Sequence, residues 1–387
     1  MPTWDVIVLG LGGMGSAAAC HLARRGLRVL GLDAYDPPHD RGSSHGATRV
    51  IRQAYFEHPS YVPLLLRAYE LWHELEQSTQ SNLLCLPGGL MMGNPDSEVV
   101  AGSLRSARQF DLPHELLETA DLRKRFPLFQ VPEGTVALFE PSAGLVYCDR
   151  AVAAHLRAAI RHGAEIRVNS PVLTWETTAG GVEVRTSRDR FQAGQLVVTP
   201  GPWAPDILQR LRLPLRIERQ VLFWFKPPGG IGPFLPEQFP VYVWEHDDGD
   251  LPYGFPSVDG PDGGVKFALY RSPCVEFCTP GTVDRRIRPD DEVPLRRLLR
   301  RFLPALDGPV VRAMTCMYTL TPDLHFVIDR PPGQPRVAVA AGFSGHGFKF
   351  CPVVGEILAD LVTDQTPRFD LSLFGMSRFP RNPPGRD

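Results

Sequence analysis

Lysine is the scarcest charged residue: among 41 lysines and arginines, only Lys124, Lys226, Lys266 and Lys349 are lysine. A chain that faces solvent with guanidinium keeps a compact, titratable ammonium for the few places that need one. An excess of one charge sign is also missing. The formal net charge is -2, and no basic stretch interleaves with aromatics, so neither nucleic acid nor an anionic membrane is expected as a partner. No apolar run approaches the roughly 18 residues of a membrane span. Asp5 precedes the first apolar run and no basic segment stands before it, so no signal peptide is read and a cytoplasmic address is expected. Cysteines number seven, an odd and scattered set that excludes a disulfide framework and suits reduced thiols. Cys274 and Cys278 have no second pair nearby to complete a tetrahedral site, and no metal is expected.

What is present suits a two-domain globular protein of 387 residues, 43% hydrophobic and 22% charged. Val6 to Leu9 reads as a buried strand, Gly13 to Arg25 as an alanine-rich helix, and Arg28 to Leu32 as a second strand ending at Asp33. Helical spacing recurs over Tyr61 to Gln77, Asp149 to His162 and Pro352 to Val362, with two further helices expected between Cys85 and Tyr147. Gln195 to Thr199 reads as a buried strand running into Gly201-Pro202-Trp203. Residues 214–309 alternate in short runs and read as a β-rich lobe, and Val337 to Ala341 returns to a buried strand.

Gly10-Leu11-Gly12-Gly13-Met14-Gly15 follows the first strand and opens the helix, with Asp33 18 residues beyond Gly15. In such a turn the first glycine permits the bend, the second lets backbone approach a pyrophosphate, and the third allows close helix packing. Phosphates sit on N–H groups at the positive helix end, and the acid accepts from a ribose hydroxyl. The motif specifies a dinucleotide without separating NAD from FAD.

Four separated motifs narrow this. Gly42-Ser43-Ser44-His45-Gly46-Ala47-Thr48-Arg49-Val50-Ile51-Arg52, Tyr253-Gly254-Phe255-Pro256-Ser257, Cys316-Met317-Tyr318-Thr319-Leu320-Thr321-Pro322-Asp323 and Gly342-Phe343-Ser344-Gly345-His346-Gly347-Phe348-Lys349 together resemble the monomeric sarcosine oxidase family of FAD-dependent amine oxidases. The resemblance runs nearly end to end. It implies an α/β plus α+β fold, with a discontinuous Rossmann-like FAD-binding domain (1–84, 148–213 and 310–387) and a β-rich substrate-binding domain (85–147 and 214–309).

The resemblance also implies roles. FAD is expected to be covalent, through an 8α-S-cysteinyl bond to Cys316, although a free cysteine read by itself is more often a small buried hydrophobe. Gly10, Gly12, Gly13, Met14, Gly15, Asp33, Ser43, Ser44, Thr48, Gly201, Trp203, Gly342, Gly345, Gly347 and Phe348 are expected along the cofactor. His45 and Arg49 are expected beside the flavin ring, and Arg52 and Lys349 on the substrate carboxylate, the arginine through its two-donor fork. Lys349 also brings charge to the flavin, and Lys266 is the cation expected where O2 is reduced. Tyr253, Tyr318 and Tyr270 are expected in the substrate cavity.

Two positions depart from the family pattern. Tyr270 stands where the sarcosine enzymes carry histidine, and Val243 where they carry a pocket methionine. Both changes point to tolerance of bulkier N-methyl or cyclic amino acids. The activity expected is oxidation of a small secondary amino acid by O2, in a monomer, with sarcosine giving glycine, formaldehyde and H2O2. The competing readings are an NAD-dependent dehydrogenase on the same Rossmann start and a flavin-binding subunit of a larger complex without a substrate site of its own.

Overall fold

The computed structural model describes residues 4–271 and 275–380. Its first strand, β1 (Trp4–Leu9), carries an apolar run because both of its faces are covered, the pattern of a central parallel strand. It pairs in parallel with β2 (Val29–Leu32) on one side and with the strand Arg190–Val198 on the other, Val6 lying opposite Val29 and Gln195. Glu165–Arg167 extends this sheet beyond β2, and Val337–Ala341 runs parallel along Arg190–Val198. Helix α1 (Gly13–Arg24) joins β1 to β2, completing the βαβ unit read from the sequence. Its small side chains let the helix Cys351–Val362 approach backbone to backbone: a Cβ on Gly355 would come within 2.6 Å of Ala17.

A second, nine-stranded sheet is assembled from distant segments. Gly89–Gly93 pairs with Val136–Glu140 and, in parallel, with Val241–Trp244, which continues through Leu251–Gly254 and Val265–Arg271 to Arg216–Phe225. The strand Val310–Leu320 then runs antiparallel along Arg216–Phe225, with Gln220 opposite Cys316. By pairing, the strand that carries Cys316 and Tyr318 therefore belongs to this second sheet. A small third sheet places β3 (Thr48–Ile51) against Gly144–Tyr147, with Leu84–Cys85 on that strand's other side. Helix α2 (Val62–Thr79) docks on the short helical turn Phe348–Phe350, where Trp72 Nε1 donates to the Lys349 carbonyl over 2.9 Å.

The stretch read as a β-rich lobe also contains a 14-residue helix, Pro289–Phe302. Pro289 opens it, Asp290, Asp291 and Glu292 complement its positive end, and Leu295, Leu298, Leu299 and Phe302 face the second core. Pro294 and four arginines hide this stripe from a pattern search; the proline has no N–H to give the Asp290 carbonyl, so burial of the apolar face carries the helix across it. No helix among the described residues is long and apolar enough to cross a membrane.

Candidate active site

The glycine turn after β1 has the geometry its sequence requires. Gly10 has φ +84, and a Cβ there would lie 2.4 Å from the Thr199 carbonyl oxygen; one on Gly15 would overlap the Gly10 oxygen at 1.7 Å. The N–H groups of Leu11 and Tyr35 donate to the two Asp33 oxygens over 2.7 and 2.9 Å, so the turn itself aims the carboxylate. Gly13 N–H donates to Ser44 Oγ (3.0 Å), which ties the Ser43-Ser44 loop to the helix start.

A continuous trough begins at this turn. Its outer part is lined by Gly10, Asp33, Tyr35, Ser43, Ser44, Gly201 and Trp203. The middle part, sharing Gly12, Ser43, Ser44 and Gly201, adds Gly13, Met14, Gly342, Gly345, Gly347 and Phe348. The inner part is a cavity of about 530 Å³ that shares Arg49, Tyr318, Gly345 and Phe348 with the middle. The trough fits an extended dinucleotide with its ring system at the inner end. His45 fits as well: it is buried in the loop before β3 with neither ring nitrogen bonded, as is the Thr48 hydroxyl at the strand's start.

Cys316 lines neither part: it is fully buried behind Arg49, whose guanidinium lines both the middle and the inner parts. Its Sγ lies 3.6 Å from Arg49 Nη2, while Nη1 of the same guanidinium reaches the Thr48 carbonyl (2.9 Å) and Cys148 Sγ (3.8 Å). Burial alone would raise the Cys316 thiol, but the pull of His45 and Arg49 outweighs it and brings the thiol down to about 6. Burial pushes Cys20, Cys148 and Cys351 the other way. Among the described cysteines, Cys316 alone is electrostatically prepared as a thiolate.

The inner cavity is walled by Arg52, Glu57, Val243, Tyr253, Tyr270, Tyr318, His346 and Lys349 among others. Arg52 is buried between the rings of Tyr55 and Phe56, its guanidinium carbon 4.1 and 4.2 Å from their centroids. Its Nη2 is already bonded to Glu57 Oε2 at 2.7 Å. Lys349 donates to the His346 carbonyl (2.8 Å); burial, with Arg52 adding to it, pushes this ammonium down to about 7 against the pull of Glu57. The cavity is thus lined by three basic side chains, Arg49, Arg52 and Lys349, and one carboxylate, with an oxygen of Glu57, Oε1, left without a hydrogen-bond partner. Tyr270 donates to the Ser344 carbonyl (3.1 Å) and packs edge-on to Tyr318, so its hydroxyl is tied back to the glycine-rich turn.

Lys266 is elsewhere. It is 2% exposed and donates to the carbonyls of Gly46 and Thr48, both over 2.8 Å. It does not line the inner cavity. Burial, aided by Arg49, pushes its pKa well below the ordinary lysine range.

Sequence reasoning passed over Glu57, Tyr55 and the His346 side chain. His346 Nδ1 lies 2.5 Å from the Tyr55 hydroxyl and Nε2 lies 2.9 Å from the Leu324 carbonyl, while burial lowers the ring to about 4. The ring is therefore neutral, accepting at Nδ1 and donating at Nε2. An acid five residues after Arg52 was the available signal for Glu57. No group of three or more potential metal ligands gathers among the described residues, and Cys274 lies outside them.

A glycine-built dinucleotide trough ending in a buried cationic cavity between two sheets defines a dinucleotide-dependent oxidoreductase. Residues 5–361 match the FAD dependent oxidoreductase family, and the chain belongs to it. It is 53% identical over 383 residues to monomeric sarcosine oxidase of Streptomyces avermitilis, spanning 99% of both chains. It is 36% identical over 384 residues to N-methyl-L-tryptophan oxidase of Yersinia pestis, spanning 97% of this chain and 99% of that one. Among solved structures, NikD, an unusual amino acid oxidase essential for nikkomycin biosynthesis, superposes with a TM-score of 0.84 at 26% identity, over 97% of this chain and 98% of that one.

Proposed function

We propose that the chain oxidises the N-methyl group of small secondary amino acids, sarcosine among them. O2 and water are consumed, and the demethylated amino acid, formaldehyde and H2O2 are released. The observation that carries this reading is the pair of buried cations, Arg52 and Lys349, in the wall of the cavity at the inner end of the trough. When bound, FAD supplies the two-electron acceptor for the N-methyl carbon and passes those electrons to O2.

The chain's own residues do the rest. Arg52 and Lys349 hold the substrate carboxylate, which fixes the amine and its methyl group toward the ring end of the trough. Tyr253, Tyr318 and Phe348 close the cavity around the substrate and exclude water. Arg49 and His45 oppose the negative charge that develops at the ring end, and Lys266 offers a cation where O2 acquires charge. The same reading includes a thioether between Cys316 Sγ and the flavin 8α carbon, supported by the lowered thiol pKa. It further includes a monomer acting in the cytoplasm.

Val243 and Tyr270 bear on which amino acid is preferred. Valine leaves volume in the wall, and Tyr270 presents a ring face instead of a titrating imidazole, so bulkier N-methyl or cyclic substrates are favoured. A peroxide-coupled screen tests this. Turnover of N-methylalanine, pipecolate or proline above that of sarcosine supports the assignment, whereas equal or poorer turnover counts against it.

A further inference from the structure

Lys266, Trp224 and Arg312 form one cross-strand row. Trp224 lies opposite Lys266 on the neighbouring strand to one side and opposite Arg312 on the other. The Lys266 Nζ is 5.3 Å from the centre of the Trp224 ring, and the Arg312 guanidinium carbon is 4.6 Å from it. Both Lys266 and Trp224 are 2% exposed, while Arg312 is exposed on Val310–Leu320, an edge strand of the sheet. The row therefore leads from solvent to the buried ammonium, with one indole between them.

A surface pocket sits over this edge, lined by Ala47, Tyr147, Asp149, Gly263, Val311 and Arg312 among others. The two carbonyls that Lys266 grips, Gly46 and Thr48, flank Ala47. Ala47 thus lies between the pocket it lines and the two carbonyls that hold Lys266. Ala47 adopts φ 63 and Gly46 φ 94. Gly264 lets Val311 and Trp224 pack closely together on the opposite side: a Cβ there would lie 2.6 Å from Val311 Cγ2 and 3.2 Å from Trp224 Cβ.

We propose that dioxygen reaches Lys266 from this sheet-edge pocket, passing between Ala47 and the Trp224 ring, by a route separate from the one the amino acid takes to Arg52 and Lys349. The inference rests on the reading of Lys266 as the cation beside which O2 is reduced. A small, uncharged, apolar molecule needs only transient gaps in a wall of glycine, alanine and indole. A zwitterionic amino acid cannot follow it. Because the two paths differ, substrate bound in the inner cavity does not bar O2, which leaves with two electrons and two protons as H2O2.

The test fills the pocket at Val311, which is 41% exposed and stands apart from the proposed chemistry. In Val311→Phe holoenzyme, the second-order rate of flavin reoxidation by O2 falls at least five-fold, while anaerobic reduction by sarcosine keeps its rate. Crystals of the wild-type holoenzyme under xenon pressure show xenon between Ala47 and the Trp224 ring, and Val311→Phe crystals do not. An unchanged reoxidation rate in a folded Val311→Phe protein, or no xenon at that place in the wild type, overturns the route. Lys266→Met reports separately on the underlying reading: slow reoxidation there with normal Val311→Phe removes the route alone, whereas normal reoxidation in Lys266→Met removes the role of Lys266.

Discussion

Arg52 meets the inner cavity already bonded to Glu57, Nη2 to Oε2 at 2.7 Å, with both side chains almost fully buried. A substrate carboxylate must therefore share or displace an internal one. Glu57→Gln keeps the shape but leaves Arg52 without its counter-charge, and a buried unpaired charge costs about 3–5 kcal/mol. The variant is expected to melt at lower temperature and to bind propionate about ten-fold more tightly, roughly 1.4 kcal/mol, as read by calorimetry. Weaker propionate binding would show that Glu57 supports the clamp instead of competing with it.

The thiol of Cys316 is held down to about 6 by His45 and Arg49 against the effect of burial. In flavin-free protein, its alkylation by iodoacetamide, followed by peptide mass spectrometry, is expected to rise through pH 6 and level off by pH 7. Replacing both partners, His45→Asn with Arg49→Ala, moves that midpoint above 8 and slows labelling at pH 7 about ten-fold or more. A midpoint that stays put would assign the shift to something other than these two side chains.

Lys349 titrates at about 7 because burial and Arg52 disfavour its charge, with Glu57 and His346 also facing it. A carboxylate ligand needs the ammonium, so propionate binding is expected to weaken as pH rises above 7 and to lose this dependence in Lys349→Met. For stability the sign is opposite. The unfolded chain holds this proton up to about 10.4, so between about 7 and 10 the unfolded state binds more protons and this group's contribution to stability grows with pH.

Lys266→Met removes the cation from the Gly46–Thr48 loop while keeping its bulk. Flavin reoxidation measured by stopped flow is expected to slow by about two to three powers of ten, the usual cost of losing a fixed charge partner, with anaerobic reduction by sarcosine little changed. Equal slowing of both halves would assign Lys266 to loop structure instead.

What the sequence makes legible follows from range. The βαβ unit, the glycine turn and Asp33 lie within 30 consecutive residues, and Gly15 is required by a contact inside the turn itself, the Gly10 carbonyl. Cys316, Arg52 and Lys349 stand in motifs whose order survives in the linear chain, so they could be named without their partners. Partnership itself was not legible. The neutral tautomer of His346 depends on Tyr55, nearly 300 positions away, and the Lys266–Trp224–Arg312 row exists only through strand register. The helix Pro289–Phe302 was missed although its apolar stripe is regular, because Pro294 and the arginines mask a period that only the covering sheet makes use of.

The central claim is that this cavity couples oxidation of an N-methyl amino acid to reduction of O2. Purified protein incubated with sarcosine or N-methylalanine in air, assayed together for substrate loss, formaldehyde and peroxide, tests it most directly. One formaldehyde and one H2O2 are expected for each N-methyl group lost. Substrate loss without peroxide, or no turnover of any N-methyl or cyclic amino acid by yellow, folded protein, would contradict it.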